Sequence, residues 1–137
     1  MEINKKVLIT GHAGFIGTWV TSAFLAKGWT VHGLDNMSSF GQRLYDKISL
    51  TSDMQAELLS DVSEPEKWET WAANLKPDLI IHLAGQAIVP RAFKEPFNTF
   101  KTNALGTLAI LDVANRLTSV KSVLCITRDK VYENDNS

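Results

Sequence analysis

Three apolar runs constrain this chain most: "KVLIT" from Lys6 to Thr10, "DLIIHL" from Asp78 to Leu83, and "VKSVLCI" from Val120 to Ile126. Strands that are apolar without alternation are buried on both faces, which is the mark of a parallel sheet covered by helices on each side. Helical patterns separate the runs as that arrangement requires. Phe15 to Lys27 reads as a helix with Phe15, Ile16, Trp19, Val20 and Phe24 inward, stopped at Gly28 and followed by a second strand, Thr30 to Leu34. Asn36 to Thr51 reads as a loop with one helical turn, Ala56 to Leu59 as a short third strand, and Pro65 to Leu75 as a helix opened by its proline. Pro96 opens another helix, in which Phe97, Phe100, Ala104, Leu108 and Leu111 recur at the spacing of one buried face. Right-handed crossovers then give a doubly wound α/β sheet of five strands in the order 3-2-1-4-5. Such sheets bind ligands beyond the carboxyl ends of their strands at the switch point, here the loops "GHAGFIG" and "AGQAIVPRA".

The 137 residues suffice for one domain with a real core. A net charge of −1 with scattered Lys and Arg leaves no footprint for nucleic acid or an anionic membrane surface. Cys125, the single cysteine, excludes a disulfide framework and fits a reducing, cytoplasmic setting. The N-terminal stretch does not read as a signal peptide, and no window is apolar for long enough to span a membrane.

Gly11, Gly14 and Gly17 follow the first strand at G-x-x-G-x-x-G spacing. Small residues there let the backbone approach a pyrophosphate, whose charge meets the amides of a helix N-terminus. The same glycines could serve only a tight turn. Asp35 falls just past the second strand, 18 residues beyond Gly17, where a carboxylate accepts bonds from ribose hydroxyls and repels a 2′-phosphate. Its alternative is a strand-end turn residue beside Asn36. Loop and acid together point to a dinucleotide, with NAD preferred over NADP.

"TGHAGFIG", "LDN" at Leu34 to Asn36, "SDV" at Ser60 to Val62, "PDLIIHLAGQ" and "TFKTNALGT" resemble the extended short-chain dehydrogenase/reductase family of nucleotide-sugar epimerases and dehydratases. His12, "AGQAIVPRAFKEPFNTFKTNALGT" and "TRDKVYEN" are most similar to its CDP-glucose 4,6-dehydratase branch. The resemblance implies a Rossmann-like NAD(P)-binding domain over residues 1–137 that matches about the first 40% of a family member, so the C-terminal part of the family fold would be missing. It implies NAD as cofactor and a nucleotide-sugar as substrate of the full-length family. Cofactor contacts would come from Gly11, Ala13, Gly14, Phe15 and Ile16, from Asp35 and Asn36, from Asp61 and Val62, and from Leu83, Ala84, Gly85, Gln86 and Asn103. Asp129 would protonate the departing C6 hydroxyl, and Lys130 would lie where the C5 proton is handled.

Two departures stand out. Arg128 occupies the place of the small hydroxyl residue that precedes that Asp in the family, leaving Thr127, one position earlier, as the nearest candidate hydroxyl. The family's Tyr-x-x-x-Lys pair has no counterpart, since the only tyrosines are Tyr45 and Tyr132. The expectation is therefore an NAD-binding portion of a dehydratase that does not complete the reaction alone. Its rivals are a non-catalytic NAD-binding or assembly module and a fragment of an epimerase. An uncovered fifth-strand edge also predicts a homo-oligomer. His12 reads as a turn residue, His82 as a strand-end or core histidine, and Trp68 and Trp71 as packing; no metal site is expected.

Overall fold

The computed structural model describes residues 5–37, 42–48 and 52–127. Five parallel strands, β1 (Lys6–Thr10), β2 (Thr30–Asp35), β3 (Ala56–Leu59), β4 (Leu79–His82) and β5 (Ser122–Cys125), form one sheet in the order β3-β2-β1-β4-β5. The helices are α1 (Phe15–Ala26), α2 (Gln42–Lys47), α3 (Glu69–Leu75), α4 (Val89–Lys94), α5 (Pro96–Phe100) and α6 (Gly106–Arg116). This is the Rossmann-like arrangement that the unbroken apolar strands predict. Thr10 lies level with both Leu34 and His82, so the loops leaving β1, β2 and β4 emerge at one height on one edge of the sheet.

Each central strand supplies both faces. Leu8, Leu34 and Ile80 join Trp68, Ile110 and Val113 on one side; Val7, Ile9 and Ile81 join Val31, Tyr45 and Met54 on the other. Trp68 and Trp71 pack in or against the first cluster, as packing residues do.

Three helical expectations are corrected. In α1 the buried positions are Gly17, Thr18 and Thr21, with Val20 and Phe24 packed against the core. Phe15, Ile16 and Trp19 are exposed instead, Trp19 to 58%. The helix lies so close to the loop after β1 that only a small-residue face fits there, and the large side chains turn outward. Second, Pro65 opens a 3₁₀ turn (Pro65–Lys67) rather than an α-helix, and α3 starts only after the buried Trp68. Third, the stripe Phe97, Phe100, Leu108 and Leu111 faces outward, with Phe97 77% exposed. A π turn (Lys101–Leu105) between α5 and α6 shifts the phase of a straight 3.6-residue repeat. Past it, Gly106 abuts Val62, and Ile110, Val113 and Ala114 become the buried face.

His32 and His82 are both buried, and neither ring nitrogen of His32 has a partner. Burial, aided by the charge of Lys6, pushes the His32 imidazole below its ordinary value of 6.5; burial does the same at His82. The folded state therefore holds both rings neutral, while the unfolded chain takes up protons below about pH 6.5. Their contribution to stability is complete above that pH and is lost as pH falls toward the depressed folded values. Urea midpoints are expected to be flat from pH 8 to 7 and to drop between pH 6.5 and 5, with a slope of up to about 1.4 kcal/mol per pH unit for each ring. A His32→Leu variant should show a shallower drop; an equally steep profile in that variant would contradict the account.

Candidate cofactor site

The loops that emerge together frame a cleft of about 690 Å³ at the switch point between β1 and β4, a size usual for small-molecule sites. Its floor is the turn Gly11 to Gly14. Gly11 has φ +70°, and a Cβ there would lie 2.7 Å from the Ala84 nitrogen, so this position brings the two loops into contact. Gly14 caps α1 in an extended conformation, with no side-chain cap and no acid in the first helical turn. The first amides of α1 thus end at the cleft with no acceptor from the cap, which suits an anion.

Asp35 is 6% exposed and already holds two amides: its Oδ2 accepts from Ala13 N (3.1 Å) and its Oδ1 from Met37 N (2.7 Å). The carboxylate therefore braces the glycine loop while also lining the cleft. Ala13 is fully buried and does not line the cleft; its part is the amide given to Asp35. Asn36 lies beside Asp35 on the cleft wall. Further along, Asp61 and Val62 form the next stretch of wall, and Asp61 Oδ1 accepts from Ser63 N (2.9 Å) and Ser63 Oγ (2.7 Å).

The opposite wall is Leu83, Ala84, Gly85 and Gln86. Asn103, on the π turn, does not line the cleft but clamps this loop. Its Oδ1 accepts from Gln86 N (2.7 Å) and its Nδ2 donates to Gln86 O (3.0 Å). Sequence reasoning missed Arg91, Lys101 and Ile126 on the wall. Helix α4, which carries Arg91, was read as loop, and its proline in the first turn was the available signal.

Gly11, Gly14, Phe15 and Ile16 all face this cleft. Thr127 is exposed just after β5, next to Ile126. Asp129 and Lys130 lie outside the described residues. Tyr45 is buried in the core, its hydroxyl donating to Met54 Sδ (3.2 Å), so it does not serve the cleft. Among the described residues, no group of three or more His, Cys, Asp or Glu could hold a metal ion, and no helix is long and apolar enough to cross a membrane.

Residues 8–132 match the family model for GDP-mannose 4,6-dehydratase. The chain belongs to that family. Among curated relatives it is 31% identical over 130 residues to CDP-glucose 4,6-dehydratase of Salmonella typhimurium, which covers 95% of this chain and 36% of the relative. It is 34% identical over 119 residues to UDP-glucose 4-epimerase of Mycolicibacterium smegmatis, covering 87% and 37%. Among solved structures, UDP-glucose 4-epimerase of Bifidobacterium longum in complex with NAD+ and UDP matches with a TM-score of 0.80 at 27% identity, over 93% of this chain and 38% of that one. The chain thus spans well under half the length of these relatives.

Proposed function

We propose that this chain binds NAD in the cleft and forms the cofactor-binding portion of a nucleotide-sugar 4,6-dehydratase of the CDP-glucose type. The observation that carries the reading is the continuity of one cleft from the glycine turn, past Asp35 and the Asp61–Val62 wall, to the Asn103-clamped loop after β4. The amides at the start of α1 would meet the pyrophosphate, Asp35 the adenosine ribose, Asp61 and Val62 the adenine, and Leu83 to Gln86 the nicotinamide side. NAD, when bound, supplies a hydride acceptor. The chain's own residues orient it, and Asp35 disfavours a 2′-phosphate. Asp129 and Lys130 would serve the dehydration step, with Thr127 the nearest hydroxyl. These 137 residues contain no Tyr-x-x-x-Lys pair, and turnover of CDP-glucose by this stretch alone is not expected.

Calorimetric titration with NAD, NADP and CDP-glucose tests this reading. Heat with NAD, weaker binding of NADP and no 4-keto product from CDP-glucose are expected. Silence with NAD, or tighter NADP binding, would overturn the cofactor assignment.

The exposed apolar side chains of Phe93, Phe97, Phe100, Leu108 and Leu111 on α4, α5 and α6 support the assembly reading: a second copy laid on these helices would cover them. Light scattering is expected to give a dimer or larger species that Phe97→Glu with Phe100→Glu returns to monomer. A monomer in the unmodified protein would refute self-association.

A further inference from the structure

Buried His82 joins the strand end that leads into the cleft floor to the π turn behind the wall formed by Leu83 to Gln86. Thr107 Oγ1 gives its one proton to Asn103 O (2.8 Å), so toward His82 it can only accept. His82 Nε2, 2.9 Å from that oxygen, must therefore carry the ring proton. Nδ1 is left bare and takes the hydroxyl proton of Thr10, whose Oγ1 lies 2.7 Å away. Thr10 Oγ1 in turn accepts from Ala84 N (3.3 Å). Every donor in the chain finds one acceptor, and only the neutral Nε2–H tautomer satisfies all four links.

The ends of this chain are the functional parts of the site. Thr10 immediately precedes the glycine turn, and Ala84 touches Gly11 across the cleft floor. Asn103, whose carbonyl ends the chain, clamps Gln86 through its side chain. We propose that His82 is a positioning residue that keeps the glycine turn and the loop after β4 in register with the π turn, so that the cleft is set before any ligand arrives. That the cleft's ligand is NAD rests on the function proposed above; the register itself does not. Burial, which lowers the affinity of the ring for a second proton, keeps the tautomer in place at neutral pH.

The test uses the full chain, labelled with nitrogen-15 at histidine, together with Thr107→Val, which keeps the side-chain shape, and Thr107→Ser, which keeps the hydroxyl. Long-range nitrogen–proton spectra at pH 7 are expected to show His82, assigned through loss of its signals in His82→Gln, as the neutral Nε2–H tautomer. Thr107→Val should speed hydrogen exchange at the Ala84 amide by about tenfold, the size of one lost buried hydrogen bond, and weaken NAD binding similarly; Thr107→Ser should restore both. The Nδ1–H tautomer or a charged ring would overturn the proposal, as would unchanged Ala84 exchange in Thr107→Val. If the unmodified chain ignores NAD while tautomer and exchange behave as expected, the cofactor assignment fails and the coupling by His82 stands.

Discussion

Gly17→Ala is expected to lower the stability of this protein by about 2 kcal/mol and to abolish measurable NAD binding. Gly17 sits in the first turn of α1, where alanine alone would favour the helix by about 1 kcal/mol. Against that, a Cβ at this position would overlap the Gly11 carbonyl oxygen and come within 2.8 Å of the Gly11 and His12 carbonyl carbons. These are backbone atoms of the turn that forms the cleft floor, so no rotamer change relieves the contact; overpacking of this kind costs about 3 kcal/mol. The clash outweighs the propensity gain. The helix must move off the sheet or the turn must open, and either shift misplaces the amides that face the cleft. With a slope of about 2 kcal/mol per molar urea, the midpoint should fall by about 1 M. Gly28→Ala is the informative control. Gly28 ends the same helix at φ +73°, with Gly28 N bonded to Leu25 O and Trp29 N to Phe24 O, and nothing lies within 4 Å of an added Cβ. That variant should lose about 1 kcal/mol through backbone strain and keep its affinity for NAD. A Gly17→Ala protein with an unshifted urea midpoint would show that the close approach of α1 to the turn is not needed.

The contrast between these two glycines also shows what could be read from sequence. The sheet order was legible because it depends on whole segments: unbroken apolar strands admit few ways of being covered. Gly28 was legible as a helix stop because its role is local. The faces of α1 and of α5–α6 were not, because they are decided by single close contacts, Gly17 on Gly11 across a turn and Gly106 on Val62 between residues distant in sequence. Hydrophobic periodicity assumes that the largest apolar residues face inward. Where a helix must approach within the reach of a glycine, the small residues take that face, and Phe15, Trp19 and Leu108 are displaced outward. The π turn adds a second failure, since no residue type announces it and it rotates everything after it. The cleft shows the same division. Motif residues such as Asp35, Val62 and Gln86 were identifiable by position and line it. The bonds that hold them were not: Ala13 and Asn103 were named from the motifs as cofactor contacts, yet they act by bonding Asp35 and Gln86, and the ring of His82 belongs to no motif that assigns it a partner.

Asp35 combines the two kinds of role, and its replacement should have the other large effect. As a carboxylate it accepts from the amides of Ala13 and Met37 on opposite oxygens. Asn at this position keeps one acceptor and turns an N–H group toward the other amide, leaving one buried donor facing another. Leaving a group of this kind unsatisfied costs about 1–3 kcal/mol, and because one of the two amides belongs to the glycine turn, the cost appears in NAD affinity as well as in stability. Asp35→Asn is therefore expected to weaken NAD binding by tenfold or more. The loss of charge acts separately, on the choice of cofactor. Two unit charges about 4 Å apart at an effective dielectric near 20 repel by about 4 kcal/mol, so removing the carboxylate should narrow the gap between NAD and NADP by about three orders of magnitude, with NADP binding rising in absolute terms. The two effects point in opposite directions for NADP and in the same direction for NAD, and titration of wild-type and Asp35→Asn proteins with both cofactors separates them. Equal weakening of NAD and NADP would mean that Asp35 only braces the turn; unchanged binding of both would remove it from the site altogether.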